Sequence, residues 1–286
     1  MKILVFGAYG MAGHMVAAYL NEHGENVIGF ARQDSPVCNT WIGDAMNAIE
    51  VEAAIRWSGA DVVVNCIGVL NRAVDNDMAR GIYLNGFFPH LLENLCRKHG
   101  KYFIHISTDC VFNGKKGAYT ETDQPDEISA YGRTKTLGEI LENSKDALVF
   151  RTSIVGPELK ENGVGLFEWF MKQKGSVDGY RKVLWSGVTT LELAKAIRVA
   201  AHSYLYGIYN LVNNEDISKY ELLCLFNKYF RQNELIINPV DNPTSNKTLR
   251  CTRTDFHYEV SSYEEMLSEM FLWMEEHSKL YERYGR

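Results

Sequence analysis

Two groups of residues in this chain have the types and spacing to do chemistry together. Gly7, Gly10 and Gly13 follow directly on the apolar run Lys2-Ile3-Leu4-Val5-Phe6, and Tyr131 and Lys135 stand four residues apart. Three glycines at this spacing, between a strand and a helix, aim backbone N–H groups and a positive helix terminus at a pyrophosphate. Glycine is required because a Cβ would hold the phosphate away or strain the turn. Residues i and i+4 share a helix face, so Tyr131 and Lys135 point the same way. A phenol is a poor acid–base group at neutral pH, and bringing its pKa down by about three units takes about 4 kcal/mol. An ammonium ~4 Å away, at an effective dielectric of ~20, supplies about that much. The pair therefore reads as a proton-donating tyrosine tuned by its lysine. Ser107-Thr108 end the preceding apolar run, where the carboxyl ends of parallel strands form a ligand crevice. A hydroxyl there can hold a carbonyl oxygen while the phenol protonates it.

The second strand bears on the choice of dinucleotide. NAD-dependent proteins usually carry an acid at its end for the ribose 2′-hydroxyl, whereas this chain has Ala31-Arg32. A guanidinium suits a 2′-phosphate, so NADP(H) is expected and NAD(H) is the alternative, with Asp34 close by. The plain reading of Arg32 is a solvated loop charge.

Elements that could position these groups alternate through the first half. Strands are expected at 2–6, 26–30, 61–66, 102–107 and 148–152, with helices at 11–23, 48–57, 78–99 and 130–143. That alternation signals βαβ units and a parallel sheet, and Val/Ile-rich strands suit a sheet covered on both faces. Gly24 and Gly100 stand where helix C-terminal caps belong. Beyond Ser153 the rhythm changes at Gly156-Pro157. Helices are expected at 166–173, at 190–202 behind Thr189-Thr190, and at 261–281 behind two possible N-cap serines. Short strands are expected at 183–186 and 207–212, and 241–248 reads as a loop. The expected architecture is α/β: a Rossmann-type doubly wound parallel sheet over 1–153, with 187–206 packing back onto it, and a smaller mixed α/β substrate-binding domain formed mainly by 154–286.

Composition narrows the function classes. The 286 residues are 46% apolar and 23% charged, ordinary for a globular protein. A net charge of -6 argues against nucleic acid as a partner. Cys38, Cys66, Cys96, Cys110, Cys224 and Cys251 have no zinc or dithiol spacing, and a reducing cytoplasm is the simplest setting. No histidine pair has metal-ligand spacing with an acid nearby, so no metal is expected. No apolar run approaches the ~20 residues that span a bilayer, so no membrane is expected. His14 is expected to face solvent and His105 to lie in a strand. Phe167, Trp169 and Phe170 read as core, and Phe112, near Thr108, reads as a site residue.

The longest informative stretch is His-Ile-Ser-Thr-Asp-Cys-Val-Phe-Asn-Gly at 105–114, followed by Tyr119-Thr120-Glu121 and Tyr131-Gly132-Arg133-Thr134-Lys135-Thr136-Leu137-Gly138-Glu139. Together with Asn65-Cys66-Ile67-Gly68, Ala73-Val74-Asp75, Asn85 and Arg151-Thr152-Ser153, it resembles the extended short-chain dehydrogenase/reductases, and more narrowly the dTDP-4-dehydrorhamnose reductase family. The resemblance implies Thr108, Tyr131 and Lys135 as catalytic residues, with Lys135 holding the ribose and lowering the Tyr131 pKa. It implies a cofactor lined by Gly7, Tyr9, Gly10, Met11, Ala12, Arg32, Asp44, Ala45, Cys66, Ile67, Gly68 and Asn85, and reached by Tyr131 and Lys135. Asn85 would support a proton relay. Thr108, Asp109, Cys110, Phe112 and Ile154 would border a nucleotide-sugar substrate. The implied activity is reduction of a nucleotide-linked 4-keto-6-deoxy sugar for surface polysaccharide; the setting expected is cytoplasmic, and the sequence leaves the oligomeric state open, a homodimer being one option.

The chain departs from the family at Cys110 and Ile154, where aromatic residues are usual, which implies an altered sugar pocket. Related dehydratases use Thr-Asp-Glu at the strand end; with Cys110 in third place the general base is missing. Related epimerase-reductases use a cysteine and a histidine near this place, and Cys110 stands one position late, which favours a quiet pocket-lining thiol. An epimerase-reductase remains an alternative, as does a non-catalytic subunit, since the regulatory subunit of methionine adenosyltransferase resembles the same reductases.

Overall fold

The computed structural model describes residues 1–139 and 145–285. The central sheet is built from β1 (Lys2–Phe6), β2 (Asn26–Ala31), β3 (Asn39–Ile42), β4 (Val62–Asn65), β5 (Tyr102–Ile106) and β6 (Ala147–Arg151). Gly207–Asn210 completes it as a seventh strand beyond β6. The spatial order is 207–210, β6, β5, β4, β1, β2, β3, and every pairing is parallel. The strand order reverses between β1 and β4, which opens a crevice at their carboxyl ends.

Alternate strand residues face opposite sides of the sheet, and each side has its own core. Ile3, Val5, Val64 and Ile104 pack with Met15 and Val16 of α1 (Met11–Glu22) and with Leu193, Ala194 and Ile197 of the helix Thr190–Ser203. Leu4, Phe6, Val63 and Phe103 pack with Val51 and Ile55 of α2 (Ala48–Trp57) and with Phe88 and Leu92. Each fully buried side chain of this size contributes about 2 kcal/mol. Caps define the helix ends. Asn47 accepts from Ile49 N at 3.2 Å, Thr189 accepts from Glu192 N at 3.1 Å, and Ser262 with Glu265 forms a capping box. Gly24 and Gly100, with φ of +85° and +64°, follow two helix ends in the left-handed region.

Several expectations shift in detail. The helix expected over 78–99 is Met78–Gly81, a π-helical stretch Ile82–Phe87 and Phe88–Lys98, with Pro89 at the start of the last piece. The helix expected over 130–143 spans Ala130–Leu137 and is capped by Gly138; residues 140–143 lie outside the described residues. β3 and the helix Lys219–Phe230 were not anticipated, nor was the parallel pair Ser176–Tyr180 and Ile236–Val240. The expected loop at 241–248 contains the short strand Ser245–Asn246, which with Val183–Trp185 and Ile217–Ser218 makes a three-stranded sheet. The last helix is Tyr263–Glu276, followed by a turn of 3-10 helix at Ser278–Leu280.

Two expectations are overturned. His14 is fully buried, not solvated: its ring sits between the Gly10 carbonyl (2.9 Å) and the Tyr281 hydroxyl (3.0 Å). Burial pulls its pKa down to about 4, so it is neutral at physiological pH. Trp169 is 42% exposed, whereas Phe167 and Phe170 do belong to the core, because the helix Leu166–Met171 turns only one face inward. Among the described residues no helix is long and apolar enough to cross a membrane.

Candidate active site

The adenosine side of the crevice follows from the first βα turn. Gly7 adopts φ +85°, and Gly10 N closes the turn on the Gly7 carbonyl at 2.8 Å. A Cβ on Gly13 would lie 2.1 Å from the Gly7 oxygen, so only glycine lets α1 start this close to the strand. The result is a cleft of about 240 Å³. It collects the sequence-expected Gly7, Tyr9, Gly10, Arg32, Asp44, Ala45, Cys66, Ile67 and Gly68 on one wall system. Asn65 shapes its far side, accepting from Ile67 N at 3.0 Å while its amide meets His105 Nδ1 at 3.1 Å. Arg80 and Lys160 also line the cleft, and nothing in the local spacing marks either one. Arg32, Arg80 and Lys160 form no ion pair among the described residues. Backbone N–H groups, a helix N-terminus and unpaired cations together fit a phosphorylated dinucleotide.

Met11 and Ala12 do not line this cleft; they form the first turn of α1 beside it. Asn85 lies behind the wall. It accepts from Val69 N at 2.9 Å and donates to the Val69 carbonyl and the Thr134 hydroxyl at 2.9 and 3.1 Å, so it braces the loop after β4.

Thr108 follows the end of β5 and caps the 3-10 turn Asp109–Val111, accepting from Cys110 N at 3.1 Å. Its hydroxyl donates to Asp109 Oδ1 at 3.1 Å. Tyr131 and Lys135 lie on the helix Ala130–Leu137, capped by Ser129. A Cβ on Gly132 would lie 2.7 Å from the Cys110 carbonyl oxygen, so this glycine lets the helix press against the Thr108 turn. The helix that carries Tyr131 thus packs directly on the turn that carries Thr108. The elements that carry Thr108 and Tyr131 are therefore neighbours.

The electrostatics differ from the expectation. The Lys135 ammonium donates to the Ile106 carbonyl at 2.9 Å rather than acting on the phenol. Burial raises the Tyr131 pKa well above its ordinary value, with Cys110 adding to the rise, Thr108 pulling back and Asp109 adding again. Burial also pulls Lys135 down to about 8, opposed by Glu139 and Cys66. The phenol therefore keeps its proton, the form a proton donor needs.

Burial pushes the Cys110 thiol up to about 12, helped by Asp109, so it is protonated at neutral pH. Burial raises the Asp109 carboxyl while Lys219 opposes it most. Lys219, at the start of the helix Lys219–Phe230, stands 4.9 Å above the Trp185 ring, and burial lowers it to about 8. Lys247 pairs with Glu127 at 2.6 Å. Phe112 is fully buried against Tyr119 (4.1 Å between ring centroids) under the Arg151 guanidinium, so its place is packing, not pocket lining. Ile154 is partly buried on the short strand Ile154–Val155. Behind the site, Arg151 pairs with Glu139 at 2.7 Å, and the Ser107 hydroxyl donates to Glu139 at 2.8 Å. This buried pair ties β5, β6 and the end of the Tyr131 helix together.

Comparison with known proteins gives the family and the fold. The family model of the RmlD substrate binding domain matches residues 1–270. The dTDP-4-dehydrorhamnose reductase of Burkholderia thailandensis is 30% identical over 226 residues, covering 74% of this chain and 73% of that protein. Methionine adenosyltransferase 2 subunit beta of Xenopus tropicalis is 24% identical over 275 residues, covering 89% and 81%. Among solved structures, dTDP-4-dehydrorhamnose reductase from Bacillus anthracis str. Ames in complex with NADP has the same fold, with a TM-score of 0.81 at 20% identity over 95% of this chain and 99% of that one.

Proposed function

The chain belongs to the RmlD substrate binding domain family, and on that premise we propose that it is an NADP(H)-preferring reductase of a nucleotide-linked 4-keto-6-deoxy sugar. The observation that carries the reading is the packing of the Tyr131 helix against the Thr108 turn at the carboxyl end of β5, together with a cleft built around the glycine turn. When bound, the reduced nicotinamide supplies the hydride. Thr108 orients the ketone oxygen, and Tyr131 gives that oxygen its phenolic proton, so the carbonyl becomes an alcohol. Lys135 has three N–H donors, one taken by the Ile106 carbonyl, and the others serve the ribose hydroxyls. Asp109, with Lys219 acting on it, borders the sugar. Arg32 and Arg80 favour a 2′-phosphate at the other end. The likeness to the B. anthracis enzyme in complex with NADP supports that choice.

The protonated Cys110 thiol speaks against an epimerase role. The similarity to methionine adenosyltransferase 2 subunit beta keeps a non-catalytic subunit as the second reading. NADPH oxidation with a panel of nucleotide 4-keto sugars separates the two. The reductase reading expects turnover, a loss of kcat of roughly a hundredfold or more in Tyr131→Phe, and an unchanged Kd for NADPH. Tight NADPH binding with no turnover on any panel member selects the subunit.

A further inference from the structure

Part of the cleft wall comes from outside the glycine turn. Between the short strand Ile154–Val155 and the helix Leu166–Met171, the chain passes over α1, and Lys160 reaches the cleft shared with Gly7, Tyr9 and Gly10. The pass is close: a Cβ on Gly165 would lie 3.1 Å from Met11 Sδ, and Gly165 N donates to Glu158 Oε1 at 2.8 Å.

The C-terminal residues hold this segment down. Glu158 N donates to the Tyr284 hydroxyl at 2.8 Å, and that hydroxyl donates to Glu168 at 2.6 Å. Arg283 donates to the Lys160 carbonyl and pairs with Glu168. Two residues before Arg283, Tyr281 meets His14, whose other ring nitrogen meets the Gly10 carbonyl. One short run of chain thus grips both the glycine turn and the segment above it. The Lys160 ammonium itself forms no ion pair among the described residues.

We infer that Lys160 binds the pyrophosphate of the dinucleotide and that Arg283 and Tyr284 are positioning residues that set it there. Lys160 lines the cleft together with Gly7 and Gly10, the turn that leads into the N-terminus of α1, where a pyrophosphate sits. Arg32, at the end of β2, serves the 2′-phosphate instead. The inference rests on the dinucleotide part of the proposed function.

The test titrates the full chain with NADPH and with NADH. Lys160→Met raises both Kd values by the same factor, roughly tenfold for one charge-assisted contact, and Lys160→Arg restores most of it. Arg283→Met and Tyr284→Phe each raise both Kd values about threefold, yet add nothing once Lys160 is methionine; a merely structural role would add. Unchanged affinity in Lys160→Met overturns the inference, as does a loss confined to NADPH or an Arg283 effect that persists without Lys160. Wild-type protein that binds neither dinucleotide would overturn the proposed function, and this inference with it.

Discussion

At the adenosine end of the cleft, Arg32, Arg80 and Lys160 stand exposed and without ion-pair partners among the described residues. At the sugar end, the charged groups are sunk into the protein. Lys135 gives one of its donors to a carbonyl, Lys247 pairs with Glu127, and Asp109 and Lys219 act on each other across a desolvated site. Exposed cations facing an anion are screened by salt, whereas desolvated ones have pKa values set by burial. One end is therefore expected to answer to ionic strength and the other to pH.

The largest expected effect removes the first end. Gly13→Ala puts a Cβ 2.1 Å from the Gly7 oxygen, which forces the turn apart. It should cost about 3 kcal/mol of stability and roughly a hundredfold in NADPH affinity, measured by denaturant unfolding and by titration. Normal binding by this variant would mean the turn is not the phosphate cradle. Next comes pH. Lys135 and Lys219 are both brought to about 8, so they carry charge below that value and lose it above. Turnover should fall by roughly tenfold per unit once pH passes about 8, while NADPH affinity responds more to salt than to pH. A flat profile to pH ~10 would erase the contrast. The smallest effect sits at the rim: Arg32→Ala should weaken NADPH by roughly tenfold and leave NADH nearly unchanged. Equal weakening of the two would remove Arg32 from 2′-phosphate recognition.

The two ends also differ in how readily they could be read from the residues alone. The glycine turn, the strand before it and the helix after it are contiguous, and their spacing carries the geometry directly. β3 escaped notice because it is four residues long, polar at Asn39 and Thr40, and lies at the sheet edge. The helix Lys219–Phe230 carries a local signal in its own residues, the capping box of Ser218 and Glu221. The strands Ser176–Tyr180 and Ile236–Val240 contain Gly179 and Pro239, which dilute any strand pattern. His14 follows a glycine loop and looks solvated until the C-terminal Tyr281 covers it.

Local pattern was enough for the parallel sheet, the glycine turn, the helix face shared by Tyr131 and Lys135, and the hydroxyl of Thr108 at a strand end, because each depends on residues a few positions apart. The protonation of Tyr131, the diversion of Lys135 to Ile106, the packing role of Phe112, the arrival of Lys160 at the cleft and that of Lys219 near Asp109 could not be read that way. Those depend on desolvation and on contacts between residues tens to hundreds of positions apart, and neither burial nor long-range proximity is written in the spacing of neighbours.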